Sequence, residues 1–309
     1  MSTRVYLLSG LLALQVVIIA VVLRTGGSAG AADAGPLLVF PAERVDVIRI
    51  GTTEHQNGAE VRLSRADGGW QLAAGFPADT DKVNEVLAKL AGLRAGWPVA
   101  SSAGAGERFQ VAPGDHQRHV VLEAGGEIVG ELYLGTSPGF QRVHARRADD
   151  ASIFSVALSN YQLPVTADDW LDKTLLQPRG AVSSVTRRGA WSLVRSDDGW
   201  RLDGVAADQQ AARQFERRLT ELRVSGLAPP PEQNAEPAAV FEINDAAGAH
   251  LLRIFAGASG NDHRLSSDRR DGYFSLAAYL AEQLLVDGQS LLAAEQADAG
   301  IPTATAGDS

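Results

Sequence analysis

The sequence predicts an α+β protein in which a single N-terminal transmembrane helix is followed by two related domains, each an antiparallel sheet with one or two packed helices. Three observations predict this fold class. One long apolar run lies near the N-terminus, short strands follow one another without crossover helices, and one pattern of strands and helix occurs twice. A length of 309 residues also fits two domains of roughly 150 residues each.

The apolar run Val5–Leu23 predicts a transmembrane anchor, which we assign to residues 1–24. As a helix, its nineteen residues would extend roughly 28 Å, against a hydrocarbon core of about 30 Å. A secretory signal peptide is the alternative, because small residues suited to cleavage follow at 28–32. The length of the run and the arginine that closes it, Arg24, favour an uncleaved anchor. Arg4 precedes the run and favours a cytoplasmic N-terminus, with the C-terminal part exported.

A Gly- and Ala-rich linker is predicted for residues 25–41, and a first α+β repeat domain for residues 42–180. The Asp/Gly cluster before Trp70 predicts a hairpin turn that joins two short strands. After this hairpin, Asp79 and Thr80 carry a helix-start signal, and apolar residues then recur at helical spacing. A meander of strands and a short capped helix are predicted to complete the domain.

A second α+β repeat domain is predicted for residues 181–292, because the same pattern returns there. Residues 191–202 match residues 61–72 at six of twelve positions, including Gly-Trp-x-Leu. A second amphipathic helix is expected after Asp208, and strands follow it again. Chance similarity between the two segments is the alternative explanation. The last residues, 293–309, contain too few apolar side chains to form a core and are predicted to be disordered.

The composition excludes several kinds of chemistry. The chain has no cysteine, which excludes disulfides, thiol nucleophiles, cysteine-ligated zinc and iron–sulfur clusters. Its 28 basic and 37 acidic residues give a net charge of -9, which is unfavourable for binding nucleic acid. Neither a phosphate-binding loop nor a dinucleotide-binding fingerprint is present, and no cofactor is predicted.

One motif matches a nucleophile elbow, the turn that presents a catalytic serine. Gly135-Thr136-Ser137-Pro138-Gly139 fits Gly-x-Ser-x-Gly directly after a predicted strand. In such elbows the residue after the serine donates its backbone N–H to the oxyanion hole, and proline has no N–H. The preferred interpretation is therefore a turn. The Gly-Gly-Ser-Ala-Gly match at 26–30 falls in the linker, where no base can be held.

His116 and His119 form the only close pair of histidines. Imidazole nitrogens suit zinc or copper, but a catalytic zinc site needs a third protein ligand. Asp115 and Glu123 are the nearest candidates, and no pattern selects either. Two solvated loop histidines are the preferred interpretation.

The remaining clusters have structural explanations. The carboxylates of Asp168, Asp169 and Asp172 suit the N-terminus of a helix, with paired-carboxylate catalysis as the alternative. Trp70 and Trp200 occupy equivalent places in the two repeats and are interpreted as core residues, with a carbohydrate-stacking pair as the alternative. Schiff-base chemistry has few candidates, since there are only three lysines: Lys82, Lys89 and Lys173. The sequence thus predicts no catalytic, cofactor-binding or metal-binding residue.

Arginine doublets recur along the chain and are interpreted mostly as solvated turns or helix faces. Contact with anionic lipid head groups is the alternative for a doublet near a membrane. The doublets are Arg146-Arg147, Arg187-Arg188, Arg217-Arg218 and Arg269-Arg270.

Four segments of the sequence together resemble a bacterial domain of unknown function, family 4340. They are Gly-Gly-Trp-x-Leu at 68–72, Leu-Tyr-Leu-Gly at 132–135, Phe-Gln-Arg-Val-His-Ala-Arg at 140–146 and Asp-Trp-Leu-Asp-Lys-Thr-Leu-Leu at 169–176. The resemblance covers about residues 40–180, with a weaker second pass to about 290. One departure is Phe109-Gln110-Val111, where the family usually has aromatic-Gly-Leu, so the left-handed backbone that glycine favours is not expected at Gln110.

The resemblance implies an envelope accessory role rather than a reaction. Members of the family typically begin with one membrane anchor and are often associated with ABC-type exporters and gliding-motility-like components. We therefore expect a non-enzymatic accessory or scaffold protein of the bacterial inner membrane, single-pass, with its C-terminal domains on the periplasmic side. Its expected partners are the lipid bilayer, through Val5–Leu23, and ABC-type transporter subunits. A two-lobed binding module for an envelope glycan, lipid or peptide is the alternative, and a hydrolase is a third reading.

Overall fold

The computed structural model describes residue 15 and residues 35–53, 58–66, 68–102, 104–257 and 262–293. The chain divides into two compact units, and the boundary falls between Trp170 and Leu171. The predicted anchor Val5–Leu23, except for Gln15, and the predicted tail, except for Ala293, lie outside the described residues. Among the residues that are described, no helix combines the length and the apolar character needed to cross a membrane.

The first unit is built on a seven-stranded antiparallel sheet, accompanied by two short strand pairs. The strands are β1 (Gly35–Pro36), β2 (Val47–Gly51), β3 (Glu60–Ala66), β4 (Gly69–Gln71), β5 (Arg94–Ala95), β6 (Val111–Ala112), β7 (Asp115–His116), β8 (Arg118–Ala124), β9 (Glu127–Leu134), β10 (Val143–Arg147) and β11 (Ile153–Val156). The order in the sheet is β11-β10-β9-β8-β2-β3-β4, and the short pairs are β1–β5 and β6–β7.

Between residue 35 and the end of the first unit, the described residues form three α-helices: α1 (Thr80–Ala91), α2 (Ala105–Arg108) and α3 (Ala167–Trp170). Helix α1 begins where the sequence predicts, because the Asp79 carboxylate accepts a hydrogen bond from the Lys82 backbone N–H at 3.1 Å. Its apolar residues Val83, Val86, Leu87 and Leu90 are buried. Leu37 and Leu38, which the sequence analysis assigned to the linker, are also buried in this unit.

The second unit is built on a nine-stranded antiparallel sheet. Its strands are β12 (Ser184–Arg187), β13 (Trp191–Ser196), β14 (Gly199–Leu202), β15 (Val205–Ala206), β16 (Gly226–Ala228), β17 (Ala239–Asp245), β18 (Gly248–Ala256), β19 (Asp262–Ser267) and β20 (Arg270–Ala277). The order in the sheet is β15-β14-β13-β12-β17-β18-β19-β20-β16. The described residues of this unit also form the helices α4 (Gln209–Thr220), which begins after Asp208 as the sequence predicts, and α5 (Ala278–Leu284).

The two sheets share one topology. In chain order, the first unit's β2, β3, β4, β8, β9, β10 and β11 correspond to the second unit's β12, β13, β14, β17, β18, β19 and β20. With this correspondence the order of the seven strands is identical in the two sheets, and β15 and β16 extend the second sheet at its edges. Trp70 and Trp200 are both buried, as expected of core residues at equivalent positions. The mostly antiparallel, sheet-dominated architecture with few helices confirms the predicted α+β class.

Candidate functional site

Two neighbouring cavities open on the first unit, and Arg142 lines both of them. One, of about 410 Å³, is lined by Arg118, Ser137, Asn160 and Tyr161 among others. The second, of about 450 Å³, lies between the end of α1, β5 and β11; its charged lining residues are Lys89, Arg94 and Arg142. A third cavity of this unit contains both Glu131 and Arg147 in its wall and so carries mixed charge.

Backbone carbonyls hold both arginines of the first cavity in place. Arg118 starts β8, and its Nε and one terminal nitrogen donate to the carbonyl oxygens of Leu163 and Gln117, each at 2.7 Å. Arg142 precedes β10 and donates to the side-chain and backbone oxygens of Ser155, at 2.8 and 2.5 Å. Within the described part of the chain, each guanidinium keeps one terminal nitrogen without a hydrogen bond. Burial lowers the pKa of Arg118 from its ordinary value.

The loop between β9 and β10 carries the predicted turn with Ser137. The Ser137 hydroxyl lies 2.6 Å from the carbonyl oxygen of Arg142 and 2.8 Å from that of Gly139. Both neighbours are acceptors, so the hydroxyl hydrogen is used to close the loop. The nearby imidazole of His144 is hydrogen-bonded instead to the Thr136 hydroxyl, at 2.9 Å. The serine therefore fixes the loop rather than acting as an activated nucleophile.

Exposed aromatic residues belong to the lining of the two cavities or lie close to lining residues in the chain. Tyr161 lines the first cavity and is 94% exposed. Phe140 lies between the lining residues Ser137 and Arg142 in the same loop and is 89% exposed. Trp97, 78% exposed, follows directly after Gly96, which lines the second cavity. Large apolar side chains at such exposure are typical of binding surfaces when they occur together.

An amide network forms the floor of the first cavity. The Asn160 side-chain nitrogen donates to the Gln117 side-chain oxygen at 2.6 Å and to the Gly135 carbonyl at 2.9 Å. Gln117 in turn donates to the Gln110 side-chain oxygen at 2.7 Å. Gln110 adopts a left-handed backbone conformation with a φ of 54°. The sequence-based expectation that this conformation would be absent at Gln110 was therefore wrong. The backbone N–H of Gln110 donates to Glu107, and this turn holds the conformation without glycine.

His116 and His119 are not the solvated loop histidines that the sequence suggested. His116 ends β7 and is only 7% exposed, with its Nδ1 3.1 Å from the Ala112 carbonyl oxygen. His119 stacks on Tyr133 with ring centroids 4.5 Å apart, and its Nε2 lies 2.8 Å from a Glu131 carboxylate oxygen. The prediction failed because Glu131 and Tyr133 come from the next strand, β9.

Of the two further metal ligands considered for the histidine pair, Glu123 is engaged by another residue. The two imidazole centroids are 5.4 Å apart, but Glu123 pairs with Arg49 at 2.9 Å. Across the described residues, no group of three His, Cys, Asp or Glu side chains is arranged to hold a metal ion. Burial, opposed in part by the hydrogen bond to Ala112, lowers the pKa of His116. The cluster is thus an aromatic and hydrogen-bonded part of the sheet surface.

The acidic cluster and the lysines make local contacts. Asp169 receives a hydrogen bond from the Thr166 hydroxyl, and the Asp172 carboxylate accepts from the Thr174 N–H at 2.9 Å. The lysines bind nearby oxygens: Lys82 the Asp169 carbonyl at 2.6 Å, Lys89 the Glu85 carboxylate at 2.6 Å, and Lys173 the Ser225 carbonyl.

Two arginines from the doublets that were predicted to be solvated, Arg146 and Arg269, make specific contacts with other residues. Arg269 forms two hydrogen bonds, at 2.6 and 2.9 Å, with the fully buried carboxylate of Asp245. Arg146 lies over the Tyr133 ring and donates to the Val111 carbonyl at 2.7 Å. Arg118 and Arg142 could not be identified as site residues from the sequence, because they lie 24 positions apart and no pattern joins them; the sheet and its loops bring them to one cavity.

No curated protein and no solved structure is significantly similar to this chain. The family model described as "Domain of unknown function (DUF4340)" matches residues 70–240, which is more than half of the chain. The match begins at Trp70 in the first unit and ends at Val240 in the second, so it includes the walls of both cavities. The chain therefore belongs to the DUF4340 family.

Proposed function

We propose that the protein is a non-enzymatic accessory or scaffold protein of the bacterial cell envelope, anchored in the inner membrane by Val5–Leu23, and that it binds subunits of an ABC-type exporter. The observation that carries this proposal is a set of exposed aromatic residues at the two cavities. Tyr161 lines the first cavity, and Phe140 and Trp97 lie within two residues of lining residues in the chain. The anchor and the periplasmic placement of both units rest on the sequence pattern.

Aromatic rings at such exposure favour a protein partner. Tyrosine and tryptophan contribute large contact areas with few rotatable bonds, and both are enriched among the residues that dominate binding energies. Arg142 lines both cavities, and arginine shares this enrichment. A surface of this composition is suited to a protein interface.

The contacts of the polar groups support a role in binding rather than in catalysis. The Ser137 hydroxyl is directed to backbone carbonyls, and the His119 imidazole is paired with Glu131. Asn160 and Gln117 support the cavity floor through their amide groups. These groups stabilise the shape of the surface around the cavities.

Co-purification tests the proposal. The full-length protein would carry a C-terminal affinity tag, be extracted from its host with a mild detergent and be analysed for bound ATPase and permease subunits. Phe140→Ser and Tyr161→Ser should lose most of the bound transporter, whereas Tyr279→Ser, at an exposed tyrosine of the second unit, should retain it. Recovery of the wild-type protein without any transporter subunit would contradict the proposal.

Membrane fractionation tests the anchor separately. The full-length protein should remain with membranes after alkaline carbonate extraction, and a variant that lacks residues 1–24 should not. A C-terminal alkaline phosphatase fusion should be active, since this reporter works only on the periplasmic side. An inactive fusion on a membrane-bound protein would reverse the proposed topology.

A further inference from the structure

The charge of the two cavities is opposite to that of the whole chain. The protein has a net charge of -9. Yet four basic residues line the cavities and, among the described lining residues, there is no aspartate or glutamate; the four are Lys89, Arg94, Arg118 and Arg142. An acidic protein thus has a basic recess flanked by exposed aromatic rings.

Most of this positive charge is not neutralised within the first unit. Lys89 pairs with Glu85 at 2.6 Å. In the described part of the chain, Arg94, Arg118 and Arg142 lie within 4 Å of no carboxylate oxygen. The hydrogen bonds of Arg118 and Arg142 to neutral oxygens fix the orientation of both guanidinium groups. Guanidinium groups that are already oriented lose little further freedom when they bind a carboxylate.

We infer that the two cavities receive an acidic segment of a protein partner, whose carboxylates pair with Arg118 and Arg142. This inference rests on the proposed function, since it specifies the chemistry of the partner surface. Each guanidinium has a terminal nitrogen available for a charge-assisted hydrogen bond. The neighbouring Phe140 and Tyr161 favour a peptide, because they can cover apolar side chains on either side of the carboxylates.

A peptide titration tests the inference directly. The probe is a fluorescent eight-residue peptide with two central glutamates and flanking leucines, and its counterpart has glutamines in place of the glutamates. The full-length protein in neutral detergent should bind the glutamate peptide roughly ten times more tightly than the glutamine peptide. Raising the salt concentration to about 0.5 M should weaken binding, because exposed charges are then screened. Equal affinity for the two peptides would overturn the inference.

Charge-removing variants locate the binding site. Arg142→Gln and Arg94→Gln should each reduce affinity for the glutamate peptide several-fold. Arg213→Gln, at an exposed arginine of α4, is the matched control and should leave affinity unchanged. Arg94 makes the test secure, because its side chain is exposed and its replacement leaves in place the hydrogen bonds that Arg142 makes with Ser155. Equal effects of all three variants would show a general charge effect and overturn the assignment to the cavities.

Two other anion sources are outcomes of the same experiment. Vesicles containing phosphatidylglycerol and inorganic phosphate would be titrated in parallel with the peptide. Binding of either without binding of the glutamate peptide would overturn the inference in favour of a lipid or a phosphate ligand. Failure of the inference about the acidic segment can be distinguished from failure of the proposed function. If the wild type and Arg142→Gln co-purify equally with the transporter, the proposed function stands and the acidic contact does not.

Discussion

The guanidinium carbon of Arg65 lies 4.7 Å from the ring centroid of Trp70, directly across the hairpin formed by β3 and β4. The second unit repeats this pair, with Arg195 4.4 Å from the Trp200 ring at the matching position of β13 and β14. Each arginine also donates its Nε to a carbonyl two residues before the strand next to its hairpin. Arg65 donates to Val45 before β2 at 3.0 Å, and Arg195 donates to Val182 before β12 at 3.2 Å. The six identities between the two hairpins therefore preserve one packing arrangement, which joins the hairpin to the neighbouring strand.

The two tryptophans differ in the hydrogen bonding of the indole N–H. This difference predicts that replacing them lowers the free energy of unfolding by unequal amounts. The Trp70 indole N–H donates to the Asn84 side-chain oxygen at 3.2 Å, whereas the buried Trp200 indole N–H has no partner among the described residues. Trp70→Phe should therefore destabilise its unit by about 1 kcal/mol more than Trp200→Phe destabilises the second unit. Urea unfolding, followed separately for each unit, measures the difference. A larger loss for Trp200→Phe would contradict the assignment.

Local patterns made much of the fold predictable. The hairpin at Trp70 and the helix that Asp79 caps depend on residues within a few positions of each other, so their signals lie within a short window. The second copy of the pattern indicated a shared architecture, and the identical strand order of the two sheets agrees with it. The order itself could not be derived, because the pairing of Ile48 with Leu122 joins residues far apart in the chain.

The candidate site could not be predicted for the same physical reason. Arg118 is held by the carbonyl of Leu163, 45 positions away, and Arg142 by Ser155. No periodicity or motif connects these residues. For the histidine pair the close spacing was evident in the sequence, but the environment of the two side chains was predicted wrongly. His119 stacks on Tyr133, and this contact depends on the pairing of β8 with β9.

Asp245 is predicted to stabilise the second unit strongly. Its carboxylate accepts two hydrogen bonds from Arg269 and one each from the backbone N–H groups of Arg179 and Ala247, at 2.6 to 2.9 Å. Replacement by asparagine removes the charge and one acceptor, and leaves the Arg269 guanidinium without its carboxylate partner. Asp245→Asn should therefore lower the free energy of unfolding of the second unit by about 3 kcal/mol at pH 7.

The same carboxylate predicts a pH dependence with a definite sign. The hydrogen bonds from Arg269 hold the pKa of Asp245 well below its usual range. A lowered pKa stabilises the folded state above the ordinary aspartate pKa of about 4, and this contribution is lost as the pH falls further. The difference in stability between wild type and Asp245→Asn should thus shrink from pH 7 to about pH 3. A difference that stays constant over this range would show that the charge is not responsible.

Buried histidines predict a second loss of stability in mild acid. Burial lowers the pKa of both His116 and His144. The unfolded chain then binds protons more readily than the folded first unit as the pH falls below about 6.5, so acidification favours unfolding. The double variant His116→Gln, His144→Gln should show a weaker pH dependence between pH 7 and pH 5 than the wild type. Denaturant titrations at both pH values measure it, and an unchanged dependence would contradict this account.

Gly135 is predicted to be the least replaceable glycine beside the cavities. A Cβ atom at this position would overlap the carbonyl oxygens of Phe109 and Gln110. The backbone cannot move away easily, because the neighbouring Thr136 N–H donates to that Phe109 carbonyl at 2.9 Å and the Gly135 carbonyl accepts from Asn160. Gly135→Ala should therefore destabilise the first unit by about 3 kcal/mol.

Gly139 supplies the matched control for this substitution. It lies four residues later in the same loop, and a Cβ atom there would meet nothing within 4 Å. Gly139→Ala should change the unfolding free energy by no more than about 0.5 kcal/mol. If the close approach of Gly135 positions Asn160, as its hydrogen bond indicates, Gly135→Ala should also weaken binding of the glutamate peptide at the cavity that Asn160 lines. If the two alanine variants are equally stable, the loop at Phe109 can move to accommodate the added Cβ without loss of unfolding free energy. The fixed position assigned to the residues at the base of the cavity would then be wrong.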